Sequence, residues 1–83
     1  MILTDLSGDD ILLCQITSQH SNDIFAQTLN SKNFVSGSLP VDSFIRPLRI
    51  FTADKNIILR KAGKITSELM DKVIDAIFFA LKQ

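Results

Sequence analysis

The stretch SELMDKVIDAIFFALKQ, residues 67–83, decides the fold class, because the hydrophobic period changes there. Leu69, Met70, Val73, Ile74, Ile77 and Leu81 recur at spacings of three and four, the apolar stripe of an amphipathic helix. Thr66 stands where a side-chain oxygen can accept from the unsatisfied N–H groups of the first turn, and is the expected N-cap. Glu68 in the first turn and Lys82 at the far end both suit the helix dipole. Upstream of Thr66 the pattern is of short runs broken by Gly, Pro, Asn and Asp, which predicts several strands and turns ahead of a single helix packed on the sheet.

Working back from the helix, NIILRKAGKI (56–65) is a β candidate with a bend at Gly63. In VSGSLPVDSFIRPLRIFTAD (35–54), Gly37 and Pro40 punctuate, and Val41, Ser43 and Ile45 alternate with Asp42, Phe44 and Arg46. Pro47 has no N–H for a ladder, so this strand should be bulged or at an edge near that point. NSKNF (30–34) reads as a loop, DIFAQTL (23–29) as a strand, and HSND (20–23) as a turn. ILLCQITS (11–18) reads as a strand with Leu12, Cys14, Ile16 and Ser18 on one face and Ile11, Leu13, Gln15 and Thr17 on the other. Both faces begin apolar and become polar, as in a strand that crosses the core and emerges at its rim. SGDD (7–10) is a turn, and MILTDL ahead of it is the remainder of a strand.

Eighty-three residues make one small domain, 1–83, at the size where a single core is only marginally sufficient. Nine basic and nine acidic residues cancel, so an anionic ligand would need a local patch rather than a global field. The balance also disfavours a general DNA-binding module, since no helix is basic. With one His and one Cys the usual zinc ligand sets cannot be assembled, and no metal or cofactor is expected. There is no HExxH, GxSxG or phosphate-cradling Gly-rich loop. No membrane span or secretory leader is legible, and the lone Cys14 fits a reducing compartment, so the expected location is the cytoplasm.

Four features carry chemistry. Cys14, mid-strand between Leu13 and Gln15, reads as a small core residue rather than a nucleophile. His20 reads as an exposed turn residue with no base paired to it by spacing. Thr17, Ser18 and Gln19 have two readings: strand-end groups that satisfy local backbone, or donors to a phosphate or a base edge. The basic residues Arg46, Arg49, Arg60, Lys61 and Lys64 fall in the strand-rich middle. Arg46 and Arg60, on neighbouring candidate strands, could face one groove suited to a phosphate backbone; scattered surface charge is the alternative.

DDILLCQITSQ, then GSLPVDSFIRPLRIFTAD, then ILRKAGKITSELMDKV, in that order, resemble the MazF/PemK (Kid) family of toxin endoribonucleases. The resemblance runs from about residue 9 to the C-terminus. It implies a mainly β fold with a C-terminal helix, an SH3-like (CcdB/PemK-type) small barrel, and a homodimer. It implies metal-independent cleavage of single-stranded RNA, and a cognate antitoxin that inserts an acidic segment in the same groove. The family's active-site threonine falls on Thr17, with Ser18 and Gln19 beside it. Its later arginine falls on Arg46, suited to the phosphate and to proton donation, and Arg60 becomes a further groove contact.

Two departures bear on activity. Many relatives carry an acid two residues after that arginine, serving in some as the general base; this chain has Leu48. The family's leading strand, proline-rich loop and Arg-Pro pair also have no counterpart in MILTDLSGDD. A barrel without its leading strand is expected to be open, with an unpaired edge that self-association would cover. Two functional readings therefore stand together. One is an impaired RNA endoribonuclease module of a toxin–antitoxin pair. The other is an inactive remnant serving dimerisation or antitoxin binding.

Overall fold

The computed structural model describes residues 1–20, 22–58 and 62–83. Its strands are β1 (Ile2–Asp5), β2 (Asp10–Thr17), β3 (Gln27–Leu29), β4 (Phe34–Gly37), β5 (Ser43–Asp54) and β6 (Gly63–Ile65), followed by helix α1 (Ser67–Leu81). Four antiparallel strands form one sheet in the order β1-β2-β5-β3, and β4 pairs with β6 in a second. The larger sheet is an open, strongly curled half-barrel, mainly β with one C-terminal helix, as the sequence pattern predicts.

The curl has a local cause. Along the β2–β5 ladder, Cys14 faces Ile50 but the next residue, Gln15, faces Arg46. Pro47, Leu48 and Arg49 are thus looped out of the pairing, in a strand that lies between β2 and β3 rather than at an edge. Pro47 has no N–H to lose there, and its ring is buried. Such a bulge bends the strand and increases its twist, which rolls the sheet toward a barrel.

The core lies between the curled sheet and α1. Cys14, Leu29, Ile45, Leu69 and Val73 form its buried cluster, with Met1, Leu3, Phe34, Leu39, Ile65 and Ile77 packed around it. Ile11 is also fully buried, outside that cluster; three residues from Cys14, it lies on the opposite face of β2, so both faces of that half-strand are covered. The Thr66 side chain accepts from the Leu69 N–H at 3.3 Å, the predicted N-cap. Of the predicted apolar stripe, Leu69 and Val73 are buried and Met70 and Ile77 half-buried, whereas Ile74 and Leu81 face outward.

Two predicted strands are shorter than their sequence runs and one predicted loop is more ordered, each through a side chain that bonds local backbone. Asp23 accepts from the Phe25 N–H at 2.9 Å, and the Ala26 N–H returns to the Asp23 carbonyl, so DIFA is a turn and only Gln27–Leu29 pairs. Asp54 caps a single helical turn at Lys55–Ile57 through the Asn56 N–H, so the predicted run 56–65 opens in a helical turn, and its described strand is Gly63–Ile65. Asn30 and Asn33 close a reciprocal capping box around Ser31–Asn33, so the predicted loop 30–34 contains a helical turn and ends in β4. At the β4–β6 pair Gly37 has φ 74°, and a Cβ there would run into the Ala62 carbonyl.

Candidate active-site face

Cross-strand partners share a face of a sheet, and this sorts the candidate residues. Ile45 and Ser43 are buried toward α1, so Phe44 and Arg46 point to the other side, together with Thr17 and Gln15 opposite them on β2. Thr28 of β3, paired with Phe44, completes a rung of Thr17, Phe44 and Thr28 on that outer face. Arg46 sits two positions further along β5, diagonal to Thr17, with backbones roughly 7–8 Å apart for such neighbours.

The segment after β2 folds over this face. The His20 ring packs edge-on against Phe44, with centroids 5.5 Å apart and an interplanar angle of 83°. Asp23 reaches Arg46, its Oδ2 accepting from Nε at 3.1 Å, with side-chain exposures of 11% and 22% respectively. Partial burial alone would push the Asp23 carboxyl up. The Phe25 N–H, the Arg46 guanidinium and the nearby Arg49 charge outweigh that, and hold it below the ordinary carboxylate range.

Two clefts open here, sharing Asp23. An open one of about 470 Å³ is lined by Asn22, Asp23, Ile24, Arg46, Leu48 and Arg49. A smaller one of about 200 Å³ is lined by His20, Asp23, Ala26, Thr28 and Phe44. Two guanidinium groups against one carboxylate leave the larger cleft net positive, although the whole chain is neutral. It is a local concentration of positive charge of the kind an anionic ligand would need on a neutral chain.

The sequence-predicted residues divide. Thr17 and Arg46 are on the same face. The Thr17 Oγ1 accepts from the Gln19 N–H at 3.1 Å, a local backbone bond that still leaves the hydroxyl proton to donate. Ser18 and Gln19 are exposed just beyond the strand end, and Thr17, Ser18 and Gln19 line neither cleft. Arg60 lies outside the described residues. Leu48 is 43% exposed in the wall of the larger cleft, where the carboxylate beside Arg46 is that of Asp23. Sequence reasoning missed Asp23, Thr28 and Phe44 as part of this face and left His20 unassigned. The only sequence signal for Asp23 is its local Asx turn, since nothing in the spacing of 23 residues pairs it with Arg46.

Among the described residues, no helix is long and apolar enough to cross a membrane. No curated protein sequence matches the chain significantly. A family model described as PemK-like, MazF-like toxin of type II toxin-antitoxin system matches residues 2–81. That match takes in every described strand and the whole helix, so the chain belongs to the family of PemK-like, MazF-like toxins of type II toxin–antitoxin systems.

Proposed function

We propose that the outer sheet face binds single-stranded RNA and cleaves its backbone, with Arg46 on the scissile phosphate and Thr17 donating a hydrogen bond beside it. The observation that carries this reading is a half-buried arginine, anchored on a strand, at the edge of an open and locally cationic cleft. Cleavage of this type forms a bond from the ribose 2′-oxygen to phosphorus and breaks the bond from phosphorus to the 5′-oxygen. One proton leaves the 2′-OH and one is delivered to the leaving oxygen. Negative charge grows on the phosphorane oxygens, and Arg46 with Arg49 offsets it. Ser18 and Gln19 at the rim, and Arg60, are the proposed additional RNA contacts.

The same cleft is the proposed seat of a cognate antitoxin, whose acidic segment would compete with RNA for Arg46 and Arg49. Residues 1–83 are proposed to act as one domain, to self-associate and to work in the cytoplasm. Exposed Phe78 (57%) and Leu81 (74%) on α1, and Phe51 (49%) on β5, support self-association as apolar surface that a second copy could cover. A second functional reading, antitoxin binding or dimerisation without turnover, draws its support from Leu48. Its side chain faces the cleft beside Arg46 and can accept no proton from a 2′-OH.

The test is incubation of the purified chain with mixed-sequence RNA in excess chelator, beside a Thr17→Ala, Arg46→Ala double variant. Cutting that persists in chelator and vanishes in the double variant supports the ribonuclease reading. RNA left intact by a folded chain that still binds its antitoxin favours the non-catalytic one.

A further inference from the structure

We infer that Asp23 is a positioning residue, which fixes Arg46 by its Nε edge so that the guanidinium's Nη edge is presented to a phosphodiester in the adjoining cleft. The inference rests on the proposed phosphate role of Arg46 and adds to it a residue outside the strands. A guanidinium carries five N–H donors in a rigid planar fork. In this structure Nε donates to Asp23 Oδ2, and Arg46 makes no other side-chain hydrogen bond among the described residues. The four Nη hydrogens remain, in the geometry that matches two phosphate oxygens at once.

Both ends of the pair are held. The Arg46 backbone is in register with Gln15 in the β2–β5 ladder. Asp23 Oδ1 accepts from the Phe25 N–H at 2.9 Å, and its carbonyl accepts from the Ala26 N–H at 3.2 Å, so the carboxylate sits on a closed turn. A side chain with several freely rotating bonds is thereby reduced to few orientations before any ligand arrives, which is how positioning lowers a barrier. The carboxylate also subtracts a charge from a cleft that needs cations. Asp23 should therefore weaken ground-state phosphate binding while improving the geometry of the reacting complex. A carboxylate that merely tied the 20–26 segment to the sheet would not produce that opposition.

The experiment follows the Arg46 Nε–H resonance by NMR during titration with inorganic phosphate, in the wild-type chain and in Asp23→Asn, Asp23→Glu and Arg46→Lys variants. In the wild type the Nε–H should exchange slowly with water, and phosphate should shift it saturably. In Asp23→Asn the exchange should quicken and phosphate affinity should rise. In the same variant, single-turnover cleavage at saturating RNA should fall by about 100-fold, the scale of a misplaced catalytic group. Asp23→Glu, which keeps the charge, should recover part of the protection. Arg46→Lys, folded but without a fork, should keep weak phosphate binding and lose cleavage.

Phosphate that saturates without moving the Arg46 resonance overturns the inference, and this arm needs no variant to fold. So does an Asp23→Asn chain with unchanged Nε–H exchange, or one whose affinity and cleavage fall in parallel. If phosphate engages Arg46 as described but no RNA is cut, the ribonuclease reading fails and the positioning of Arg46 by Asp23 stands.

Discussion

Replacing Arg46 with leucine removes the guanidinium and leaves the Asp23 carboxylate, 11% exposed, against an apolar neighbour. Exposed ion pairs contribute about 0.2–1 kcal/mol. Breaking a fully buried pair by removing one partner costs about 3–5 kcal/mol. With Arg46 at 22% exposure and Asp23 at 11%, the pair lies between these limits. The Phe25 N–H stays on Oδ1 and moderates the loss, so Arg46→Leu should cost about 2 kcal/mol near neutral pH. Against roughly 4–12 kcal/mol of total stability for a domain of this length, that is a large fraction.

The sign of the pH dependence makes the prediction specific. The Asp23 carboxyl is held below its usual range, against the opposing effect of its burial, by the Phe25 N–H, by Arg46 and by Arg49. A depressed folded-state pKa contributes stability above the unfolded value of about 3.9, and that contribution is lost as pH falls through the folded value. Removing Arg46 removes part of the depression. The destabilisation should therefore be largest near pH 7 and shrink steadily below about pH 4. Urea unfolding of wild type, Arg46→Leu, Asp23→Asn and the double variant across that range measures it, with the double-mutant cycle isolating the pair. A coupling energy under about 0.5 kcal/mol near neutrality, or a penalty that does not change with pH, would refute the reasoning.

Three further outcomes follow from the packing. Val73→Ala, which empties part of a fully buried site between α1 and the sheet, should cost about 1.5–3 kcal/mol in denaturant unfolding. Thr66→Ala removes the oxygen that accepts the Leu69 N–H and should cost about 1 kcal/mol, read as a lower midpoint with an unchanged slope. Burial pushes the Cys14 thiol up from its ordinary pKa, with the nearby N-terminal amine pulling partly against it. A thiol-reactive disulfide should therefore label Cys14 only as fast as the fold opens, and labelling of native protein at the rate of a free thiol would contradict the buried placement.

How far the site could be read in advance differs residue by residue. Thr17 and Arg46 were singled out through the family resemblance, and because both lie in strands the β2–β5 pairing then places them on one face. Pro47 announced the bulge in β5, and its missing N–H is a covalent property that no context changes. Asp23 could not be found in the same way. It lies in DIFAQTL, whose apolar content predicts a strand, and one Asx bond to the Phe25 N–H overrides that preference over a few residues. Its pairing with Arg46 depends on where the turn after β2 lands on the sheet. The joining of His20 to Phe44 has the same origin.

Local covalent rules and hydrophobic period determined much of this protein from sequence alone. They set the single helix with its Thr66 cap, the β-rich region before it, the buried thiol, and the break at Pro47. These depend on steric and hydrogen-bonding preferences within a few residues of chain. Tertiary structure alone decided that β2 lies between β1 and β5, that Ile74, Phe78 and Leu81 stay outside the core, and that Asp23 supplies the carboxylate beside Arg46. Those outcomes depend on loop closure over tens of residues. The free energy there is set by which surfaces meet, and no local pattern encodes the meeting.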